Sequence, residues 1–405
     1  MVKRVVMIMW DAFGTAFYER FKELPHLSRL RRMATCYVAC EGIYPSVTNV
    51  VWTSMMTGAY PEKTGNLAYY WDRRRNVVRG LHREYTLENL VESLARGGRT
   101  SGSVGMFMLL RHGLHWEHEG GAGRLYIQPP PDFTVRVKET IRLYRGEYGY
   151  KPEFITVYTA VLDSLAHQVG PNDPRIDQLI MHLDEGLGSL LDAIAADPDG
   201  ADTAVVLTGD HGASEARYGL RDTVNACISS CGHVVSWMSV NESVLADAEI
   251  VAVSAGRTAA LYFVQKHVGT TTRDFTMAEK YELQQRLATI PGVAAVLDPE
   301  ALQDLRTDLR LADLLLEAEV PYAFWAQTPE SMRGTHGSRL EMDVPLLIAV
   351  PGVPAAERSG ARIVDIAPTI ADLLGAPKPC GAQGRVLALG PQTGEVLPEV
   401  NHSVP

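Results

Sequence analysis

Three short stretches put acids and imidazoles where they can share a ligand. In "DSLAH" the step from Asp163 to His167 is four residues, which on a helix brings a carboxylate and an imidazole to one face. In "GDHG" Asp210 and His211 follow an apolar run, and Gly209 and Gly212 permit a sharp turn that lets both side chains point into one site. "GTHG" gives His336 the same glycine frame, and Asp11 closes the apolar run "KRVVMIMW". Taken singly, each also describes a surface histidine or a capped turn. Together, three acids and three imidazoles suit two four-coordinate oxygen and nitrogen sites. Two cations about 4 Å apart form a clamp for in-line displacement at phosphorus. The candidate nucleophile is Thr48, in "YPSVTNVVWTSMMTG". Pro45 and Ser46 suit a helix start, and Val47, Val50, Val51 and Met55 recur at the spacing of a buried helical face. Thr48 then falls in the first turn, where unpaired N–H groups and the helix dipole favour an anion. A threonine there is also an ordinary cap.

The elements that must position these residues alternate. Apolar strand patterns end at Asp11, run into Asp163 in "PEFITVYTAVLD" and into Asp210 in "TAVVLTGDHG", and return in "DVPLLIAVPG". Helical patterns lie between them: "TLENLVESLARGG", closing on glycines, and "RIDQLIMHLDEGLGSLLDAIAA". The alternation predicts an α/β fold, a mainly parallel doubly wound sheet with helices on both faces and its chemistry at the carboxyl ends of the strands. From about 215 to 333 the pattern changes to β-rich "AEIVAVSAGRTAALYFV", helical "TMAEKYELQQRLATI" and a short strand "GVAAVLD". We therefore expect a catalytic core of 1–214 and 334–390, an inserted α+β subdomain of 215–333, and a tail of 391–405.

With 405 residues, 46% of them hydrophobic and 21% charged, the chain has the composition of a globular protein. Its net charge of -10 argues against a nucleic-acid surface. No apolar stretch approaches the roughly 20 residues that cross a bilayer. The N-terminal run stops at Asp11 without a cleavage site, and the five cysteines are an odd number. These features lead to the expectation of reduced thiols in a soluble, cytoplasmic protein acting on a small molecule, with the oligomeric state left open.

The order of the motifs resembles the alkaline phosphatase superfamily, most closely its type I phosphodiesterase/nucleotide pyrophosphatase branch. Asp11, "PSVTN" with "MTGAYPEKTGN", "DSLAH", "GDHG", "GTHG" and the closing "APTIADLLG" carry the resemblance over nearly the whole chain. It implies a phosphodiesterase or nucleotide pyrophosphatase that works through a covalent phosphothreonine at Thr48 with two zinc ions. Asp11, Asp210, His211 and the Thr48 hydroxyl would bind one zinc, and Asp163, His167 and His336 the other. Many relatives hold a phosphoryl oxygen with an asparagine, but here "TGNLAYYWD" offers Asn66 or Tyr69, with the backbone N–H of Asn49 as a further donor. Sulfatases share the fold, but their nucleophile, a Cys or Ser followed by Pro and Arg, has no counterpart in "TNVVW". Phosphonoacetate hydrolases use a threonine and the same metal set, and "SVTN" resembles their pattern. They hold the substrate carboxylate with lysines, whereas Lys63 alone lies near the nucleophile helix in sequence. A phosphonate hydrolase or phosphomonoesterase on this scaffold is the alternative, and a non-catalytic metal- or phosphate-binding protein a further one.

Other clusters have plainer explanations beside the chemical one. His112, His115 and His118 offer a third metal site or a solvated loop, with Trp116 a candidate stacking platform. Arg73, Arg74 and Arg75 offer a phosphate contact or a solvated charge run. Cys36 and Cys40, and Cys227 and Cys231 before His233, share a four-residue step that is not the usual spacing of a zinc finger.

Overall fold

The run RVVMIMW folds as strand β1, Arg4–Trp10, and all of it is buried, as an unbroken apolar run requires. It lies inside an eight-stranded sheet whose other members are β2 (Ala34–Cys40), β3 (Ser101–Val104), β4 (Arg124–Ile127), β5 (Phe154–Thr159), β6 (Thr203–Thr208), β7 (Val344–Ala349) and β8 (Ala356–Arg358). Their order across the sheet is β8–β2–β7–β6–β1–β5–β3–β4. This computed structural model describes residues 2–81, 85–114, 124–129, 131–269, 271–326 and 333–391.

β1 pairs in parallel with β5 and β6, so that Met9 faces Tyr158 on one side and Thr208 on the other. The ends of these three strands, and the residues just past them, therefore lie at one edge. The sheet is mixed, because β7 runs antiparallel to both β2 and β6. The reason is positional: the chain reaches β7 from the loop bearing His336, at the carboxyl edge, and can only run back from there.

Five helices cover the sheet or carry site residues: α1 (Thr48–Thr57), α2 (Phe133–Arg145), α3 (Val161–Val169), α4 (Pro174–Ala196) and α5 (Ile366–Leu373). Side chains alternate along β1, so Val5, Met7 and Met9 enter a core with α1 and α5. Val6, Ile8 and Trp10 enter a second core with α2 and α4. The length of α4 follows from its sequence. Asp173 accepts the N–H of Arg175 at its start, Pro174 takes the first turn, and Ile176, Ile180, Leu183, Leu187 and Leu191 bury one stripe.

A second, five-stranded sheet runs in the order Val235–Trp237, Ile250–Ala255, Thr258–Phe263, Leu314–Ala318, Val293–Leu297. The helix Met277–Leu287 starts on a capping box of Thr276 and Glu279. One face of this sheet packs on its own helices, and the other shares a core with Tyr44, Leu67, Tyr70 and Val78, which flank α1 in sequence. Among the described residues no helix is long and apolar enough to cross a membrane.

Candidate metal centre

Each residue of the motifs arrives at the carboxyl edge for a local reason. Asp11 follows β1 directly, and its N–H donates to the Thr159 carbonyl at 3.0 Å. Asp210 follows β6 after Gly209, where a Cβ would stand 2.3 Å from the Phe13 carbonyl oxygen, so only glycine lets the two loops approach this closely. Asp210 Oδ1 then accepts the N–H groups of Ala12 and His211, both at 3.0 Å. Asp163 sits in the first turn of α3 and His167 in its last. Thr48 is the first residue of α1; Val47, in extended conformation, is the capping position, and it makes no side-chain cap bond.

That placement separates the two meanings of Thr48. Its hydroxyl does not cap the helix but lies 3.1 Å from His211 Nε2. His211 Nε2 is in turn 3.4 Å from Asp11 Oδ1 and 3.7 Å from Asp210 Oδ2. His167 Nε2 and His336 Nε2 stand 3.3 Å and 3.7 Å from Asp163 Oδ1. The rings of His211 and His336 stack with centroids 3.7 Å apart. Two groups of donor atoms, each within 4.8 Å, result: Asp163, His167 and His336, and Asp11, Asp163 and His211. Asp163 belongs to both, while Asp210 reaches the second group through its contact with His211.

The residues fit cations. Asp11 Oδ1, Asp163 Oδ1 and Asp210 Oδ2 are buried and have no hydrogen-bond partner. Buried carboxylate oxygens left without hydrogen bonds this close to the imidazoles are unfavourable alone and suit a shared positive charge. Burial, reinforced by Asp210 and Asp163, raises the Asp11 carboxyl well above the usual carboxylate range. Burial likewise raises Asp163. It lowers the His336 imidazole well below its ordinary value, helped by His211 and His167, which favours the neutral ring that can ligate.

The backbone sets which ring nitrogen is presented. His167 Nδ1 lies 2.9 Å from the Gly334 carbonyl, His211 Nδ1 2.9 Å from that of Gly212, and His336 Nδ1 2.8 Å from that of Ser46. A carbonyl only accepts, so each Nδ1 carries the proton and each Nε2 keeps its lone pair for the centre.

The substrate-side candidates divide. Asn66 is buried and its amide nitrogen donates to Thr53 Oγ1, inside α1. Asn49 is buried and its carbonyl accepts from Thr53 at 2.8 Å. Tyr69 is only partly buried and holds a left-handed φ of 52°, and burial first and the charge of Asp163 second raise its phenol. One contributor escaped the sequence reading: Tyr158 of β5, whose hydroxyl donates to Asp11 Oδ2. Burial and the charge of Asp11 raise its phenol, keeping it a donor and leaving Asp11 Oδ1 for the centre. Its sequence signal was a polar-tipped aromatic one residue before the end of a buried strand.

The remaining clusters do other work. His112 packs its ring against Tyr85, whereas His115, Trp116 and His118 lie outside the described residues. Arg73 pairs with Asp313 at 2.6 Å and Arg75 with Asp72 at 2.9 Å, while Arg74 is exposed. Lys63 donates to the Gly381 carbonyl at 2.7 Å. All five cysteines are free, and among the described residues no metal-competent group includes one.

A family model described as type I phosphodiesterase / nucleotide pyrophosphatase matches residues 5–339. The venom phosphodiesterase of Macrovipera lebetinus is 21% identical over 217 residues, 51% of this chain and 25% of that protein. Venom phosphodiesterase 2 of Crotalus adamanteus is 23% identical over 226 residues, 52% of this chain and 27% of that protein. The chain thus spans about a quarter of the length of the curated relatives it matches. Solved structures of murine and human ectonucleotide pyrophosphatase/phosphodiesterase 5 superpose with a TM-score of 0.69 over 93% of this chain and 96% of theirs, at 15% and 16% identity. The murine protein has also been solved as an inactive threonine-to-alanine variant in complex with AMP. The cytoplasmic expectation does not stand, because the proteins matched are by name venom enzymes and ectoenzymes. It leaned on an N-terminal run without a cleavage site, on the lack of a membrane-length apolar run and on the odd cysteine count, none of which fixes a compartment.

Proposed function

The chain belongs to the type I phosphodiesterase/nucleotide pyrophosphatase family, and from that premise we propose that it hydrolyses a phosphodiester or nucleotide pyrophosphate through a phosphothreonine at Thr48. The observation that carries this is the Thr48 hydroxyl, 3.1 Å from His211 Nε2, beside three buried carboxylate oxygens without partners. Asp163, His167 and His336 would hold one zinc ion and Asp11, Asp210 and His211 the other, with Asp163 also within reach of the second group, a nitrogen and oxygen donor set that suits zinc. Cations bound there supply charge neutralisation for the phosphoryl group and make a hydroxyl beside them more acidic.

The chain's own residues do the rest. Thr48 Oγ1 attacks phosphorus opposite the leaving oxygen: a new P–O bond forms, the old one breaks, and its electron pair departs with that oxygen. The threonine proton passes to solvent. Water then attacks the phosphothreonine, releasing the product and restoring the hydroxyl. The first turn of α1 favours the anion throughout. The inactive threonine variant of the murine protein, solved in complex with AMP, supports a threonine-dependent reaction at a site that takes a nucleotide on this fold. Residues 215–333 are on the same proposal a subdomain inserted between 1–214 and 334–390, with 391–405 a tail. In support, Ser214 pairs with Thr335 and Glu215 with Gly334, so the two ends of the segment meet.

At equal zinc loading, bis(p-nitrophenyl) phosphate should exceed p-nitrophenyl phosphate and phosphonoacetate in kcat/KM by about tenfold or more. A higher value for phosphonoacetate would replace the diesterase with a phosphonate hydrolase, and no turnover of any of the three would favour a binding protein. Tyr69 is the donor proposed for a non-bridging phosphoryl oxygen, since Asn66 is buried and already donates inward to Thr53. Tyr69→Phe should lower kcat by roughly 10²-fold, the scale of one lost oxyanion donor, with folding unchanged. Unchanged kcat would move the role to the backbone N–H of Asn49.

A further inference from the structure

Arg257 has no exposed surface and occupies the turn between the strands Ile250–Ala255 and Thr258–Phe263 of the second sheet. Its guanidinium donates to three carbonyls, those of Glu215 at 2.6 Å, Tyr322 at 2.8 Å and Glu319 at 3.1 Å. Among the described residues its carboxylate partner is Glu341, 3.0 Å from Nε and itself buried. Glu341 does more than balance the charge. Its carboxylate accepts the Ser338 N–H at 3.1 Å, the Ser338 hydroxyl at 2.6 Å and the Ser214 hydroxyl, and its carbonyl accepts the Gly212 N–H at 2.7 Å.

Those bonds lead to the centre by two routes. Gly212 follows His211 and supplies the carbonyl at its Nδ1. Ser338 passes the connection to Ser46, whose hydroxyl donates to the Ser338 carbonyl at 2.7 Å and accepts the Gly337 N–H at 3.1 Å. Ser46 in turn holds His336 Nδ1 at 2.8 Å and stands two residues before Thr48. The Arg257 N–H also lies 3.4 Å from the His336 carbonyl.

We propose that Arg257 and Glu341 are positioning residues: a buried ion pair through which the second sheet fixes the loops of His211 and His336 and, through Ser46, the start of α1. The inference rests on reading the centre as a zinc site. A pair that only stabilised the fold would have no need of bonds reaching both histidine loops. Removing one partner of a buried pair leaves the other charge uncompensated, so the loops are expected to relax rather than stay in place.

The test is a zinc titration of metal-free full-length protein against a competing chelator, at a temperature where circular dichroism shows each variant folded. Glu341→Gln should weaken at least one of the two zinc steps by about tenfold or more, the range for groups that orient ligands, and lower the diesterase kcat with it. Ser46→Ala, which removes no charge, should act in the same direction with a smaller loss of Tm. A purely structural pair would lower Tm and leave both zinc steps within about twofold of wild type, and that result overturns the proposal. If Glu341→Gln does not fold, Ser46→Ala decides alone. Wild type that binds zinc but turns over no ester sinks the proposed reaction and leaves the titration as the judge of the pair. Wild type that binds no zinc sinks the reading of the site and this inference together.

Discussion

Thr48→Ala should fold, load its metals and lose about three orders of magnitude or more in diesterase kcat, because the covalent route needs an oxygen at that position. The stability cost should be small. Val47 is the capping position and the Thr48 hydroxyl faces His211, so alanine removes no cap and leaves the buried stripe of α1 intact. Thr48→Ser keeps a hydroxyl at the same point and should retain measurable turnover. Acid quench of the wild type during turnover should trap on Thr48 the phosphoryl group still carrying its remaining ester, provided the intermediate does not break down much faster than it forms. A folded, zinc-loaded Thr48→Ala with more than about a tenth of wild-type kcat would remove Thr48 as the nucleophile, the loss being too small for a missing attacking atom.

Asp163→Asn should be as damaging by another route. Asp163 belongs to both donor groups, so an amide there weakens both together. Zinc content should fall below one ion per chain, and kcat by about 10²-fold or more even in excess zinc. His336→Ala provides the contrast, since His336 belongs to one group alone and should lose mainly one ion. The metal-free proteins should differ in the opposite sense. Burial raises the Asp163 pKa, so the fold holds that proton more tightly than the unfolded chain does, and ionisation at neutral pH costs the metal-free protein stability. Asparagine carries no such charge. Metal-free Asp163→Asn should therefore melt at or above the wild-type temperature, and a large fall in Tm would show that Asp163 is needed for the fold itself.

Much of the centre could be read from the chain because its signals are local. Asp163 and His167 are one helical step apart, and Asp11, Asp210 and His211 end apolar runs that a parallel sheet brings to one edge. The sharing of Asp163 could not be read, since it depends on how closely α3 approaches the end of β1. Tyr158 was hidden by the strand pattern, which assigns any aromatic of "FITVYT" to the core, and most of its ring is indeed there, packed edge-on to Trp52. The direction of β7 was equally invisible, because an apolar run has the same composition whichever way it points. Arg257 and Glu341 are far apart in sequence and meet only through the packing of two sheets.

The carbonyls behind the three imidazoles have a consequence for how this centre tolerates mutation. Gly212, Gly334 and Ser46 contribute main-chain oxygens, and every amino acid supplies an identical one. Tautomer choice is therefore insulated from side-chain identity at the anchoring positions and answers only to the path of the backbone. A Cβ at Gly212 would meet its nearest neighbour at 3.6 Å, an ordinary contact, whereas at Gly334 it would stand 2.3 Å from the Ala166 carbonyl oxygen. Gly212→Ala should accordingly be tolerated and Gly334→Ala should not, although both glycines do the same chemical job. At these two glycines the tolerance of the centre is thus a matter of clearance around the chain.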